Sequence, residues 1–372
     1  MSLELTKANT ARMPELDGLR GLAALSVFFS HCIGLIPGSD SMAIQHTPMR
    51  LIWDGASAVI VFFVLSGFVL TLPFVGASSR PLQPGRFILK RFFRLYPAYW
   101  CALLFSLMLR FWVLRHYHLE SLSSWANSLW SIPLSTGMIV RVFAMIAPGI
   151  NTHGIDPVIW SLVFEMKVSI IFPAIIFLVR RTRSPYTDAA ILAVAAFIGP
   201  LHSLLGVLPV FLTGSYLAKY MHRVRQWFHS QSGWVRATAF LAGLTIYGAH
   251  NFTPTPNSYA CSLLTTLGSA LILIAAVTWP PLNRFASSPP VHFLGAVSYS
   301  FYLLHLPILL ATTSLLYPLS HSLPLCAAVA LALGLLVSKL SYEVIELPGI
   351  RLGSFVIEFW KRQSDLRTSP AS

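Results

Sequence analysis

Long apolar segments with few charged residues recur along nearly the whole chain, and they limit the possible folds more than any other feature. Hydrophobic residues make up 55% of the chain and charged residues only 10%, whereas an average soluble domain carries roughly 25% charged residues. So little charge cannot cover a soluble globule of 372 residues, which excludes a cytosolic enzyme and a disordered chain. The net charge of +13 is spread between the apolar segments rather than gathered on one face, which argues against nucleic-acid binding.

The length of the apolar segments predicts helices that cross a membrane, because a span needs roughly 20 apolar residues. The sequence therefore predicts an all-α, polytopic membrane helix bundle of about ten transmembrane helices, at 18–37, 55–76, 97–114, 158–179, 187–201, 203–219, 236–250, 259–279, 292–316 and 322–343. The stretch 187–219 is either a tight pair or one broken helix. The stretch 121–149 mixes tryptophan, proline and arginine, and it is interpreted as an interfacial helix or a re-entrant piece.

The positions of lysine and arginine predict the orientation, because cytoplasmic loops collect positive charge. With both termini inside, nearly all of the 26 basic residues fall in cytoplasmic segments; the exceptions are Arg50, Arg110, Arg115 and Arg141 outside and Lys167 within a span. We therefore expect a multi-pass protein of the cytoplasmic (inner) membrane. It would have a cytoplasmic N-terminal segment 1–17, a transmembrane domain 18–345 and a cytoplasmic tail 346–372.

Four ionisable residues lie inside predicted spans: His31, Glu165, Lys167 and His305. Each costs roughly 2.5–3.5 kcal/mol on insertion scales and needs a reason to be there. Counted along their helices, His31, Glu165 and His305 lie at about one level, which predicts a single buried polar cluster. His305 can also be a buried histidine that is hydrogen-bonded to a neighbouring helix.

Two spacings between glycine, arginine and histidine residues differ in what they indicate. Gly21 and His31 are separated by the same ten positions as Gly295 and His305, which we interpret as coincidence. Arg20, in contrast, precedes His31 by eleven positions, which puts both on one helix face about 16 Å apart.

Arginine pairs suit phosphate groups, because the planar guanidinium presents a fork of donors. Arg91 and Arg94 are one turn apart at the cytoplasmic mouth of the third predicted span. Together with Arg20 they form a candidate phosphate site; the alternative is ordinary anchoring by positive charge. Metal chemistry is not expected: none of the four cysteines has CxxC spacing, which also argues against disulfides and a structural zinc site.

Six separated motifs, in one order, carry a resemblance to a known family. They are ELDGLRGLAA at 15–24 leading to His31; FFVLSGF at 62–68; RFFRLYP at 91–97; WSL at 160–162 with Glu165; LG at 294–295 with SYS at 298–300 and YLLH at 302–305; and SY at 341–342 with Glu346 and Pro348. With these motifs the chain resembles the acyltransferase-3 family, integral-membrane enzymes that acylate sugars and other hydroxyl groups. The resemblance runs from about residue 14 to residue 352.

The resemblance implies an O-acyltransferase that takes an acyl group, in the first instance acetyl, from cytoplasmic acyl-CoA. The acceptor would be a hydroxyl of a carbohydrate or glycan, and no metal is implied. His31 would be the general base and Glu165 would orient it. Transfer would be direct or pass through an acyl-histidine. The remaining candidates would bind substrate or coenzyme (Arg20, Arg91, Arg94, Ser66, Trp160, Ser161, Tyr299 and His305) or support the site (Asp17, Lys167 and Glu346).

A different class of protein explains some of the same residues. A proton-coupled transporter or exporter of a glycan or lipid precursor also places His, Glu and Lys inside its spans. Matched pairs of broken helices, which are typical of transporters, are not found in the sequence.

Overall fold

The structure is a computed structural model that describes residues 13–38, 44, 47, 49–76, 79–113, 122–145, 152–249 and 258–368. The described part is helical and contains no strand. The α-helices are α1 Pro14–Gly34, α2 Arg50–Trp53, α3 Gly55–Thr71, α4 Pro84–Val113, α5 Ser124–Ser128, α6 Thr136–Ala144, α7 Trp160–Arg181, α8 Pro185–Ile198, α9 Ser203–Ser230, α10 Gly233–Tyr247, α11 Tyr259–Thr278, α12 Pro280–Ala286, α13 Pro289–Ser320, α14 Leu323–Ser341 and α15 Leu347–Thr368.

The predicted class is confirmed: the protein is an all-α, multi-pass membrane bundle. A helix of the described part of the chain overlaps each predicted span, but the helices at 187–201 and 236–250 are shorter than the roughly 20 residues that a span needs. Within the described residues, 8 helices have the length and composition to cross a membrane, and Pro185–Leu201 is a shorter apolar helix. The stretch 187–219 is a pair rather than one broken helix, because the turn Gly199–Leu201 separates α8 from α9.

Helices α1 and α13 pack closely because glycines face each other. A Cβ added to Gly21 would lie 2.5 Å from the backbone nitrogen of Gly295 and 2.6 Å from the carbonyl carbon of Leu294. Only a residue without a side chain allows this approach, which is a common way for membrane helices to pack. The contact brings the first helix against the thirteenth, and both run in the same direction.

The described residues of the ambiguous stretch 121–149 are part of a cap over one end of the bundle. We define the cap as residues 122–145 and 152–159, which contain α5, α6 and the turn Pro157–Ile159. Arg110 of α4 donates to the carbonyl oxygens of Gly154 and Ile132. The Ser106 hydroxyl of the same helix donates to the carbonyl of Ile155 over 2.6 Å.

Helix α6 extends along α4 toward the middle of the bundle. Its last three carbonyls, at 142–144, accept hydrogen bonds from Tyr99 (2.6 Å), Trp100 (3.0 Å) and Tyr96 (2.7 Å) of α4. Carbonyls that end a helix at membrane depth need such partners, since no water is present to satisfy them. These contacts fit a re-entrant piece, one of the two alternatives that the sequence left open, and which of the two applies stays a prediction.

The segment expected to be a tail also has a defined structure. After α14 the chain forms a π-helical turn at Tyr342–Glu346 and continues as α15. Gly353 packs against Phe93 of α4, where an added Cβ would lie 2.6 Å from the Phe93 Cβ. The N-terminal residues 1–12 and the last residues 369–372 lie outside the described residues.

Candidate active site

A basic cavity of about 480 Å³ opens between α1, α3, α4, α7, α13 and α15. Most of the residues proposed from the sequence line this one cavity: Arg20, Ser66, Arg91, Arg94, Ser161, Glu165 and Tyr299. Its size is typical of a site for a small molecule or a part of a coenzyme. The cavity therefore joins five of the six separated motifs, from residues 15–24 to residues 294–305.

Arg91 is held in place by two partners on helix α7. It forms an ion pair with Glu165 and donates to the Ser169 hydroxyl over 3.1 Å, both on α7. Ser66 of α3 donates to the same Glu165 oxygen over 3.4 Å. The carboxylate thus links α3, α4 and α7 at the wall of the basic cavity.

Arg94 is held by the π-helical turn. Its guanidinium lies 2.5 Å from Oε1 of Glu346, and Ser300 donates to Oε2 of that carboxylate over 2.8 Å. The guanidinium also lies 5.7 Å from the ring centroid of Tyr299. The Arg94 side chain remains 37% exposed, against 13% for Arg91, so Arg94 is the better placed to meet an anion in the cavity.

Two histidines from distant parts of the sequence form a hydrogen-bonded pair. Nδ1 of His31 lies 2.9 Å from Nε2 of His305, and Nδ1 of His305 lies 3.0 Å from the carbonyl oxygen of Phe301. A carbonyl only accepts, so Nδ1 of His305 carries the proton and Nε2 of the neutral ring is an acceptor. His31 must then donate from Nδ1. This leaves Nε2 of His31 as an unprotonated, basic nitrogen.

The pair follows from the register of α1 and α13. Gly21 contacts Gly295, and ten residues further along each helix His31 contacts His305. Ten residues rise about 15 Å in both helices, so parallel helices that meet at the glycines meet again at the histidines. The equal spacing was interpreted as coincidence from the sequence alone, and that interpretation is wrong.

The structure does not bring Glu165 to His31. The Glu165 carboxylate binds Arg91 and Ser66, whereas His31 bonds to His305. The expected single cluster is therefore divided into two: a carboxylate–arginine group in the cavity and a histidine pair beyond it. The reason is that depth along a helix fixes the level of a side chain but not the direction in which it points.

An aromatic layer separates the two groups. Phe62 and Tyr302 line the basic cavity, and their rings meet edge to face at 5.5 Å. On the other side, the Tyr302 ring centroid lies 5.9 Å from that of His305. The Tyr302 hydroxyl is fixed by Ser161 at 2.8 Å and by the Val158 carbonyl at 3.0 Å. His305 is fully buried and, like His31, is not part of the cavity wall.

The other predicted site residues lie around this arrangement. Asp17 forms a 3.5 Å ion pair with Arg20, and the Lys167 ammonium lies 5.9 Å from the ring of Phe164. Trp160 does not line the basic cavity. It lines a second cavity of about 420 Å³, and Phe63 lines both cavities.

Two residues of the cap were missed by the sequence analysis. The indole of Trp125 lies nearly parallel to the ring of His31, at an angle of 10° and a centroid distance of 5.6 Å. Asp156 is fully buried; its Oδ1 accepts from the Val158 backbone over 3.3 Å, and burial raises its pKa to about 8. A single Trp or Asp in a polar segment does not indicate that its side chain contacts a distant histidine or is buried in the fold.

Comparison with known proteins decides the family. The acyltransferase-3 family model, described as an acyltransferase domain, matches residues 13–342. The chain belongs to the acyltransferase-3 family. It is thus a membrane acyltransferase, as the order of its motifs indicated.

Three relatives show the proteins to which this acyltransferase is similar. BcsY of Komagataeibacter xylinus, provisionally named a membrane-bound transacylase, is 30% identical over 91% of this chain and 83% of its own length. The peptidoglycan O-acetyltransferase OatA of Listeria monocytogenes is 24% identical over 95% of this chain, which spans 58% of OatA. The acyltransferase MdmB of Streptomyces mycarofaciens is 26% identical over 92% of both chains. No solved structure matches the chain.

Proposed function

We propose that the protein transfers an acetyl group from cytoplasmic acetyl-CoA to a hydroxyl of a carbohydrate or glycan acceptor, with His31 as general base. The observation that carries this proposal is the His31–His305 pair. Because His305 donates to Phe301 and accepts from His31, the free nitrogen of His31 is the one able to take a proton. A neutral imidazole suits that role near neutral pH.

The basic cavity is the proposed donor site. Arg94 and Arg20 would hold the phosphates of coenzyme A, and Glu165 and Glu346 would position Arg91 and Arg94. The basic end of the bundle faces the cytoplasm in the orientation that the lysines and arginines favour. In this orientation acetyl-CoA would enter the cavity from the cytoplasm, the side on which coenzyme A is found.

The reacting groups meet beyond the aromatic layer. The thioester would pass the rings of Phe62 and Tyr302, which both line the cavity and of which Tyr302 also contacts His305. The acceptor hydroxyl approaches from the cap, where His31 is only half-buried. Donor and acceptor thus enter from opposite ends of the bundle.

The proposed step is a direct transfer. Nε2 of His31 takes the hydroxyl proton while the acceptor oxygen forms a bond to the thioester carbonyl carbon. The carbon–sulfur bond then breaks, and the thiolate of coenzyme A takes the proton back from the imidazolium. His305 acts as a positioning residue, because its lone pair holds the Nδ1 proton of His31 while the imidazolium exists.

The acceptor class is supported by a relative. OatA is named for O-acetylation of peptidoglycan, and the proposal extends a glycan-type acceptor to this chain. The proposal predicts an acetyl ester on a sugar hydroxyl.

The experiment uses the full chain purified and reconstituted in vesicles with acetyl-CoA and an oligosaccharide acceptor. Release of free thiol together with an acetylated oligosaccharide supports the transferase. Accumulation of the oligosaccharide inside the vesicles without thiol release contradicts it and favours the transporter. Protein with His31→Ala, which lacks the base, is the control for uncatalysed transfer.

A further inference from the structure

The contact between Trp125 and His31 suggests a role for the cap beyond covering the bundle. The indole of Trp125 and the imidazole of His31 are 10° from parallel, with a centroid distance of 5.6 Å. The rings of His31 and His305 form a second pair, with an angle of 14° between their planes. Three aromatic rings thus lie in a row with similar orientation. His31, the proposed base, is the middle one.

Trp125 is held in this position by the end of α1. The backbone nitrogen of Ser123 donates to the carbonyl oxygen of Leu35 over 3.1 Å. The Ser123 hydroxyl donates to the carbonyl oxygen of Gly34 over 2.6 Å. An added Cβ at Gly34 would lie 2.9 Å from the indole. The glycine therefore lets the ring rest directly on the helix that carries His31, three positions after the base.

The surroundings of Trp125 leave it accessible. Both Trp125 and His31 are half-buried, whereas His305 is fully buried. On the same short helix, Ala126 is buried and Ser124 and Asn127 are exposed. Part of the indole and part of the imidazole that it contacts therefore remain accessible to another molecule.

We infer that Trp125 is the acceptor platform of the active site: its indole binds the apolar face of a sugar ring and so directs a ring hydroxyl to Nε2 of His31. The C–H groups on one face of a pyranose form an apolar surface, and a flat, rigid indole covers such a surface with little loss of conformational freedom. An open-chain polyol has hydroxyls but no such face. This inference rests on the proposed function and adds the acceptor's recognition feature, a closed sugar ring.

The inference is tested by steady-state acetyl transfer from acetyl-CoA to two acceptors, chitotetraose and sorbitol. The variants are Trp125→Phe, which keeps an aromatic face, and Trp125→Leu, which keeps apolar bulk without one. Trp234→Ala is the matched control, since Trp234 is 84% exposed at the start of α10. Equal melting temperatures of all variants in detergent establish that the cap remains folded. If Trp125→Leu melts early it is replaced by Trp125→Met, which also lacks an aromatic face, and Trp125→Phe is replaced in the same way by Trp125→Tyr.

For chitotetraose we expect Trp125→Leu to raise the acceptor KM about tenfold and Trp125→Phe to raise it less than about threefold, in keeping with the cost of losing an aromatic anchor. The KM for acetyl-CoA and the KM for sorbitol stay unchanged in both variants. Equal effects of Phe and Leu would overturn the inference. So would faster hydrolysis of acetyl-CoA with an unchanged acceptor KM, since this result identifies Trp125 as a seal against water. Absence of thiol release in the parent protein with both acceptors overturns the proposed function itself and the platform with it.

Discussion

Nδ1 of His31 and Nε2 of His305 lie 2.9 Å apart although 274 positions separate them in the chain. The carbonyl of Phe301 fixes the protonation of His305, and through it the protonation of His31. The partner that orients the proposed base is therefore a neutral imidazole rather than a carboxylate. The Glu165 carboxylate instead orients an arginine of the basic cavity.

His305 is predicted to act by positioning His31. In His305→Gln the side-chain carbonyl can still accept from Nδ1 of His31, whereas His305→Ala leaves that proton without a partner. We expect kcat to fall about 100-fold in the Ala variant and less than about tenfold in the Gln variant, which is the range for general-base effects. Steady-state kinetics measure this, with the KM for acetyl-CoA unchanged in both. Equal losses in the two variants would contradict a hydrogen-bonding role.

Arg94 is predicted to bind a phosphate of coenzyme A. Arg94→Ala should weaken coenzyme A binding about tenfold, or about 1.4 kcal/mol, and leave the binding of pantetheine, which lacks the nucleotide phosphates, unchanged. Titration calorimetry with both ligands checks this. Arg180→Ala is the control, because Arg180 is exposed on α7 and does not line the cavity. An unchanged affinity for coenzyme A would make Arg94 an anchor of the bundle only.

The glycine contact of α1 and α13 is predicted to set the histidine register. Gly21→Ala places a methyl group against the backbone of Leu294 and Gly295, so the helices must separate. Overpacking of this kind costs about 1–3 kcal/mol, and we expect a lower melting temperature together with a lower kcat. Gly233→Ala is the control, since nothing lies within 4 Å of its added Cβ. A Gly21→Ala protein that melts and turns over like the parent would show that the contact is not required.

Asp156 is predicted to make the cap less stable at alkaline pH. Burial raises its pKa from 3.8 to about 8, so the folded state holds a proton that the unfolded state has released. The free energy of unfolding therefore falls as pH rises toward about 8, by at most about 1.4 kcal/mol per pH unit, and levels off above it. Thermal unfolding in detergent between pH 6 and pH 9 measures the slope. Asp156→Asn should flatten it, and an equal slope in that variant would exclude Asp156 as its source.

The bundle was largely predictable from the sequence because the membrane imposes a simple rule on helix length. The cavity was predictable in part: Arg20, Arg91 and Arg94 are placed by local helix geometry at one end of their spans, and the structure gathers them. The equal spacing of Gly21–His31 and Gly295–His305 also contained the register of two helices. It acquires meaning only when α1 and α13 are known to be parallel neighbours.

The partners of Glu165 and the position of Trp125 were not predictable in the same way. Both depend on which helices become neighbours and on the direction in which each side chain points, and these are set by packing across the whole bundle. Trp125 also lies in the cap, whose fold depends on hydrogen bonds from α4 such as those of Ser106 and Arg110. No periodicity within residues 121–149 contains that information.

The central claim is that Nε2 of His31 removes the proton from the acceptor. The most direct measurement is single-turnover acetyl transfer by purified His31→Ala, beside coenzyme A binding by the same sample. The account predicts a rate at least about 100-fold below the parent, with coenzyme A affinity unchanged because the basic cavity is intact. Transfer at the parental rate by a variant that binds coenzyme A normally would contradict it.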